Sequence, residues 1–269
     1  MYLGPSDERA YRGWPTVATA FFIVLTVFMP VLAAVLGLIL VQRVVPPTQR
    51  AEHNDVAGFI YAVVGVAYAV LLAFVAIVVW GDYERAKETV ESEANELADV
   101  YLLADRFPGS SGERVKELAR SYAKTVVEQE WPVMEEGESS ERASALLREL
   151  RFSVQNVDAG TGAGQVLYDQ GLTRMHEVSD ARRLRLLDTR EGLPEILWVV
   201  LISGGVITVT FTYLFGLRSN WAHALMVAAL TLVICGILFT IGSFEYPFAG
   251  QAKIQPDAFE EVLRSFEQD

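Results

Sequence analysis

Apolar residues are not spread evenly along this chain but collect in two long blocks. One block runs from Val17 to Trp80 with a short polar interruption, and the other runs from Ile196 to Phe244. The segment between them is rich in charged residues and contains almost no long apolar run. Because a soluble protein distributes its apolar residues along the whole chain, this pattern predicts an integral membrane protein with a soluble middle domain.

Each apolar block is long enough for two membrane-spanning helices. A helix needs about 20 apolar residues to cross roughly 30 Å of hydrocarbon. Pro30 lies within the first predicted span, where it should kink the helix without ending it. That span exceeds the apolar core of a cleaved signal peptide, about 7–15 residues, so we expect it to be retained. The four predicted spans are Val17–Val41, Phe59–Trp80, Ile196–Leu217 and Trp221–Phe244.

Basic residues near the span ends predict the orientation in the membrane. With four spans, both termini and the middle domain share one side of the bilayer, and the cytoplasmic side is the one enriched in Lys and Arg. The shared side carries Arg9, Arg12, Arg85, Lys87, Arg182, Arg183, Arg185, Arg190, Lys253 and Arg264. The opposite side carries only Arg43, Arg50 and Arg218. We therefore expect a multi-pass protein of the bacterial inner membrane with both termini in the cytoplasm.

The predicted fold class is an all-α membrane protein with a helical cytoplasmic domain inserted between the second and third spans. Apolar residues after Trp80 recur at steps of three and four, which is typical of one face of a helix. No proline separates this pattern from the second span, so we expect one continuous helix of about 45 residues, roughly 65–70 Å long. The predicted domains are an N-terminal transmembrane hairpin (1–80), the helical cytoplasmic domain (81–194), a C-terminal transmembrane hairpin (195–244) and a cytoplasmic tail (245–269).

The second span carries a face of small residues. Six glycine and alanine residues recur at steps of three and four, which places them on one side of the helix. Small residues let helix backbones approach closely in lipid. This face either packs against another span of the same chain, or it forms a narrow pore wall or a contact between copies of the helix. Its members are Gly58, Ala62, Gly65, Ala69, Ala73 and Ala76.

Five carboxylates follow the second span and are candidates for the cytoplasmic mouth of a pore. They are Asp82, Glu84, Glu88, Glu91 and Glu93. Residues 81–194 contain 23 acidic and 15 basic side chains, a net charge of −8. Because a field of this sign concentrates cations, we expect cation conduction if the protein is a channel.

Three arginines near the end of the middle domain have two alternative roles. Arg182, Arg183 and Arg185 either bind anionic lipid at the inner leaflet or pair with Glu93 and Glu96 inside the helical bundle.

The composition does not favour an enzyme, a cofactor or a metal site. A net charge of −12 opposes binding to nucleic acid, whose phosphates need clustered Lys and Arg. The three histidines, His53, His176 and His223, lack metal-ligand spacing, and the single Cys235 excludes a CxxC site. No GxSxG, HExxH or P-loop motif occurs. No Asp, Glu, Lys, Arg or His lies inside the four spans, with Glu195 and His223 at their edges, and proton-coupled transporters generally rely on such residues.

Several short motifs resemble those of the bestrophin-like bacterial membrane proteins. In the second span and beyond it, the resemblance rests on Leu72-Ala73-Phe74, Trp80, Tyr83, Ala86 and Glu93-Ala94. The later landmarks are EWP at Glu130–Pro132, RRLRLL at Arg182–Leu187, LPEILWVVL at Leu193–Leu201 and YPFAG at Tyr246–Gly250. The resemblance covers about Phe59 to Phe259.

This resemblance implies a remote relation to bestrophins, which are homo-oligomeric channels with four membrane helices and a large helical cytoplasmic part. Animal members of that family favour anions and some bacterial members favour cations. The second span here departs from the bestrophin pore helix, since it has no proline and carries a small-residue face. Pore geometry and subunit number are therefore not carried over.

Two functions remain as hypotheses. The leading one is a homo-oligomeric ion channel that conducts cations, with the second span lining or bordering the pore and with the lipid bilayer, inorganic ions and further copies of the chain as its partners. The alternative is a non-conducting membrane scaffold or sensor whose helical bundle recruits a cytoplasmic partner.

Overall fold

The described part of the chain is built from helices. The computed structural model describes residues 24–158, 160, 162–190 and 192–268, and these contain no strand, which confirms the all-α prediction. The helices are α1 (Met29–Val44), α2 (Pro47–Ala51), α3 (Asn54–Ala104), α4 (Ser111–Thr125), α5 (Trp131–Met134), α6 (Glu141–Gln155), α7 (Ala163–Asp188), α8 (Glu195–Phe211), α9 (Asn220–Phe244) and α10 (Asp257–Phe266). Short π-helical turns at Val24–Phe28 and Val126–Glu130 precede α1 and α5, and a 3₁₀ turn at Thr212–Leu214 extends α8.

Four helices are long and apolar enough to cross a membrane, as predicted. They cover Val24–Val44, Asn54–Ala104, Glu195–Leu214 and Asn220–Phe244. Pro30 lies in the first turn of α1, where its missing N–H costs little, and a π-helical turn comes just before that helix. The predicted start of the first span at Val17, and the basic residues Arg9 and Arg12, lie outside the described residues.

The second span and the first helix of the middle domain form one uninterrupted helix, α3. It has 51 residues, from Asn54 to Ala104, which corresponds to about 75 Å at 1.5 Å per residue. The helix is followed by Phe107-Pro108-Gly109, where Gly109 adopts a positive φ of 63°. The sequence predicted this continuity because no helix-breaking residue separates the two patterns.

The chain folds as two compact units. The transmembrane unit comprises the residues up to Val78 together with Leu193–Gly242, and the helical unit comprises Val79–Gly192 together with Ser243–Asp269. This division differs from the predicted domains at the C-terminus, because the segment 245–269 belongs to the helical unit and is not a separate tail. The helix α10 explains the difference, since Phe259, Val262 and Phe266 recur on one face and are buried in the core of that unit.

The transmembrane unit has a small buried centre and many outward-facing apolar side chains. Four residues are almost completely buried: Leu38 of α1, Leu201 of α8, and Val227 and Ile241 of α9. Apolar residues on the other faces are exposed, as expected for helices that contact lipid.

The helical unit has a continuous apolar core to which α3, α4, α5, α6, α7 and α10 contribute. The C-terminal segment takes part in it through specific contacts. The indole N–H of Trp131 donates a hydrogen bond to the Ile254 carbonyl at 3.2 Å. The rings of Tyr101 and Phe266 stack with their centroids 3.8 Å apart. The segment 245–269, which the sequence analysis described as a cytoplasmic tail, therefore packs into the core of the helical unit.

Candidate functional site

The middle of the small-residue face of the second span does not pack against another described span. Ala62, Ala69 and Ala73 are exposed in the single chain, and Gly65 is partly exposed. A Cβ atom added at Gly65 would meet no described atom outside its own helix within 4 Å. Gly58 is the exception, since a Cβ atom there would lie 3.9 Å from the Phe215 ring. Packing against a span of the same chain is therefore supported only at the Gly58 end of the face.

A different face of the second span makes the contacts within the chain. Tyr68, Leu72 and Val75 are buried, and this face lies roughly 90° around the helix from the small residues, at 100° per residue. The Tyr68 hydroxyl donates a 2.8 Å hydrogen bond to the Leu201 carbonyl of α8. A Cβ atom at Gly204 would lie 2.7 Å from the Tyr68 ring, so only glycine fits beside this aromatic side chain.

A polar cluster of three side chains caps the C-terminal end of the third span. The Arg50 Nη1 group donates to the carbonyls of Tyr213 and Phe215 at 3.1 and 3.2 Å. Asn54 exchanges two 3.0 Å hydrogen bonds with the backbone of Gly216. The His223 Nε2 atom lies 2.9 Å from the Thr212 carbonyl. The last carbonyls of a helix have no partner within the helix, and these side chains satisfy them.

Two features of this polar cluster could not be predicted from the sequence. Gln42 joins it through a 3.5 Å contact between its amide nitrogen and the Nδ1 atom of His223. Arg50 is 6% exposed, and its Nε atom is the one buried side-chain nitrogen or oxygen in the described residues that has no hydrogen-bond partner. The sequence indicated only that Arg50 lies in a hairpin between two spans.

The five candidate carboxylates of α3 do not share one face. Glu84, Glu88 and Glu91 lie within an arc of about 60° around the helix, and Asp82 lies roughly 150° away. Asp82 forms a 3.0 Å ion pair with Arg85 on its own helix. Glu84, Glu88 and Glu91 form no ion pair with a described residue, and Glu88 and Glu91 are exposed. Only these three form a common acidic face.

The structure corrects the prediction that Glu93 lies at the cytoplasmic mouth of a pore. Its side chain has 0% exposure, so it does not face solvent beside the other carboxylates. The reason lies in its position, three residues after Val90 and four before Leu97, both of which are buried on the core side of α3. A carboxylate on an apolar stripe is the signal that could have identified it as a buried ion-pair partner.

Glu93 belongs to a buried ion-pair network in the helical unit. Arg185 of α7 is 0% exposed, and its guanidinium donates to Glu93 from Nε at 2.6 Å and from Nη2 at 3.0 Å. The Nη2 atom also reaches Glu130 at 2.8 Å. Arg182 binds the same Glu130 carboxylate at 3.2 and 2.5 Å. The Tyr122 hydroxyl donates to Glu93 at 2.5 Å.

The three predicted arginines thus have separate environments. Arg182 and Arg185 lie within the ion-pair network, whereas Arg183 is exposed and pairs with Asp180 on its own helix. Glu96, the second acidic partner expected from the sequence, pairs with Arg174 at 2.8 Å. Two of the three arginines are therefore engaged inside the protein, and neither of these presents a free guanidinium to lipid.

A π-helical turn brings Glu130 into this network. Pro132 has no N–H to continue a regular helix, and the chain forms the wide turn Val126–Glu130 immediately before it. Both ends of the turn, Val126 and Glu130, are buried. The Ser140 backbone N–H, at the start of α6, adds a 3.1 Å hydrogen bond to the Glu130 carboxylate. Only the EWP motif itself indicates this turn in the sequence.

The charges of the ion-pair network stabilise one another. Burial alone raises the pKa of Glu130, but Arg185 and Arg182 outweigh it and hold that pKa below its ordinary value. Burial lowers the pKa of Arg185, and Glu93 more than reverses this, so Arg185 stays charged. Burial and the neighbouring Glu93 raise the pKa of Tyr122 well above its ordinary value, so its hydroxyl remains a donor.

The ion-pair network contains no arrangement that suggests catalysis or metal binding. Its two guanidinium groups balance its two carboxylates, and each buried polar atom of the network has a partner. No group of three or more His, Cys, Asp or Glu residues in the described part of the chain is placed to hold a metal ion. A neutral and fully hydrogen-bonded network holds helices in a fixed arrangement.

These features define a four-span membrane protein with a helical unit closed around a buried ion-pair network. The model of the Bestrophin-like domain matches residues 28–259, and the chain belongs to this family. Four of the network residues, Glu93, Glu130, Arg182 and Arg185, lie in motifs that carried the resemblance in the sequence. No curated protein matches the sequence.

Solved structures share the fold at low sequence identity. A bacterial bestrophin homologue from Klebsiella pneumoniae is 12% identical, with a TM-score of 0.69 over 90% of this chain and 97% of that chain. A variant of that homologue, with threonine in place of one leucine, is 10% identical and has a TM-score of 0.69 over 91% and 98% of the two chains. At such identities the likeness shows a common fold.

Proposed function

We propose that this chain is the subunit of a homo-oligomeric ion channel of the bacterial inner membrane, with both termini in the cytoplasm. The second span lines or borders the pore through its small-residue face. The acidic face of α3 lies at the cytoplasmic mouth and favours cations. Membership of the Bestrophin-like family supports the class, and the fold shared with bacterial bestrophin homologues is compatible with it.

The observation that carries this proposal is the unpacked small-residue face. Gly65 has open space beyond its own helix in the described residues, and Ala69 and Ala73 are exposed. Small side chains gain nothing from exposure to lipid, whereas they allow close approach of a second helix or leave room around an axis. If several copies of α3 surround one axis, this face both lets neighbouring copies approach closely and leaves space along the axis.

The acidic face supports the sign of the selectivity. Glu84, Glu88 and Glu91 carry no ion pair within the described residues, so three carboxylates face one neighbouring cation, Lys87, and the surface stays net negative. Unpaired carboxylates beside a pore raise the local cation concentration. Glu93 is excluded from this role because it is buried with Arg185, and Asp82 is set aside because it pairs with Arg85 on another side of the helix.

Ion flux from liposomes that contain the purified protein tests the proposal. We expect flux driven by potassium and sodium gradients to exceed flux driven by a chloride gradient. The Glu84→Lys variant should reduce or invert this preference, and Asp82→Lys is the matched control because it reverses a charge only two residues away on a different face. Equal reversal potentials for wild type and Glu84→Lys would contradict the proposal that the acidic face lies at the pore.

The small-residue face has its own pair of variants. Ala69→Leu places a large side chain on this face and should lower the flux, whereas Val70→Leu adds bulk to a neighbouring exposed position and should leave the flux unchanged. Liposomes that stay tight around folded, correctly oriented protein would instead favour a non-conducting scaffold that recruits a cytoplasmic partner.

A further inference from the structure

The helix α6 presents a basic and aromatic surface that nothing in the described chain covers. Phe152 is 66% exposed, although large aromatic side chains are normally buried in soluble parts of a protein. Arg148 lies one turn before it on the same face of the helix, and Arg142 and Arg151 lie on either side of that face. None of these three arginines forms an ion pair or a hydrogen bond with a described residue. Glu141 and Glu149 share this side of the helix, and Glu149 pairs with Arg114, so arginines outnumber carboxylates there. We call Arg142, Arg148, Arg151 and Phe152 the α6 patch.

A groove between α3 and α7 is lined by apolar and mostly acidic side chains. Its volume is about 710 Å³, within the range of cavities that hold drug-sized groups. Leu102 and Val166 line it and are 54% and 57% exposed. The groove therefore offers apolar surface to a side chain from outside the chain.

The charge at the rim of this groove is negative. Asp99, Asp169 and Glu177 line it, and Arg106 and Arg174 are its basic members. Arg174 is shared among Glu96, Asp99 and Glu177, so one guanidinium faces three carboxylates. Burial and the neighbouring Glu177 raise the pKa of Glu96 against the opposing effect of Arg174, as expected where carboxylates are in excess.

We propose that the α6 patch of one copy docks into the α3–α7 groove of a second copy of this chain. Phe152 enters the apolar floor beside Leu102 and Val166, and Arg148 pairs with the acidic rim at Asp169. Aromatic and arginine side chains are the residue types that most often carry the binding energy of protein interfaces. Asp169 is the groove carboxylate that does not pair with Arg174, and its charge complements Arg148, so a further copy of the chain fits as the partner.

The two surfaces are different, so the contact is head-to-tail. An interface of this type generates a ring when the rotation between copies closes, which is the symmetry that a central pore requires. This inference rests on the proposed homo-oligomer and specifies the surfaces through which its helical units meet. It also gives the helical unit a role in assembly that is independent of the membrane spans.

Site-directed cross-linking in membranes tests the contact directly. The single native cysteine is removed by Cys235→Ser, and two variants with different affinity tags are then expressed together, one with Phe152→Cys and the other with Leu102→Cys. A short bismaleimide should link one copy of each variant into a dimer, and neither variant expressed alone should be linked. The control pair combines Phe152→Cys with Leu184→Cys, an exposed leucine at the other end of α7 that should give no dimer.

Charge exchange provides the second measurement. Arg148→Glu should weaken association of the full-length protein in mild detergent about tenfold or more, and adding Asp169→Arg should restore it. Arg183→Glu reverses another exposed arginine and should have no effect. An oligomer that forms without the Phe152–Leu102 link and is unaffected by Arg148→Glu would overturn this inference but leave the channel proposal standing. A protein that is monomeric in membranes would overturn both.

Discussion

Replacing Arg185 by methionine should destabilise the helical unit far more than the same replacement of an exposed arginine. Arg185 is completely buried and is the only cation in contact with Glu93 among the described residues. Methionine keeps much of the volume but removes the charge. Glu93 would then keep only the Tyr122 hydroxyl as a partner, and Glu130 would keep Arg182 and the Ser140 N–H.

The size of the effect follows from the cost of an uncompensated buried charge. Removing one partner of a buried ion pair typically costs about 3–5 kcal/mol. For a unit of this size, each kcal/mol shifts Tm by a few degrees, so we expect Tm to fall by roughly 10 °C or more. Arg183→Met is the matched control, because Arg183 is exposed and its pair with Asp180 is worth about 0–1 kcal/mol.

The assay is thermal unfolding of the purified protein in detergent, followed by circular dichroism and by tryptophan fluorescence. Trp131 is a suitable reporter, since its ring lies 5.4 Å from the Arg185 guanidinium carbon. The double variant Glu93→Gln/Arg185→Met removes both charges of the pair and should lose less stability than the sum of the two single variants. If Arg185→Met unfolds at the same temperature as Arg183→Met, the reasoning about the ion-pair network is refuted.

Two further predictions concern the ionised state of Glu130 and the packing of the third span. Because the pKa of folded Glu130 lies below its ordinary value of about 4.3, its contribution to stability is complete above that pH and is lost as the pH falls through the folded-state pKa. Tm measured from pH 7 to pH 3 should therefore fall more steeply for wild type than for Glu130→Gln, and parallel curves would contradict the assignment. Gly204→Ala should destabilise the transmembrane unit by about 1–3 kcal/mol, since its methyl group would lie 2.7 Å from the Tyr68 ring, whereas Gly65→Ala should leave the Tm of the single subunit unchanged. Equal Tm values for the two glycine variants would show that the Tyr68 contact is not tight.

The sequence predicted those features that depend on local periodicity. The spans, the continuous helix α3 and the helices of the middle domain follow from runs of apolar residues and from steps of three and four, which neighbouring residues determine among themselves. Phe259, Val262 and Phe266 show the same spacing, so an amphipathic helix was predictable there, but its place in the core of the helical unit was not. That place depends on contacts with Trp131 and Tyr101, more than a hundred residues earlier in the chain.

The polar contacts were harder to predict for the same reason. Arg185 and Glu93 are 92 residues apart, and no local pattern specifies which carboxylate an arginine will meet. The position of Glu93 on the apolar stripe was a usable signal, whereas the π-helical turn that directs Glu130 inward had none apart from Pro132. The hydrogen bonds of Arg50 to the end of the third span likewise join residues more than 160 positions apart.

The core of the helical unit joins two stretches of chain that are synthesised at different times. Five core residues, Phe248, Ile254, Phe259, Val262 and Phe266, are made after the fourth span, whereas the remaining core residues are made before the third. Leu193–Gly242 is synthesised in between. At about 5–20 residues per second, roughly 4–16 s separate synthesis of the end of α7 from synthesis of the end of α10. During this interval Trp131 and Tyr101 lack their aromatic partners, so the core of the unit cannot be completed until the last two spans have left the ribosome. Maturation of the helical unit is therefore timed by insertion of the membrane spans, and a chain that stops before α10 exposes apolar surface of the kind that chaperones and proteases recognise.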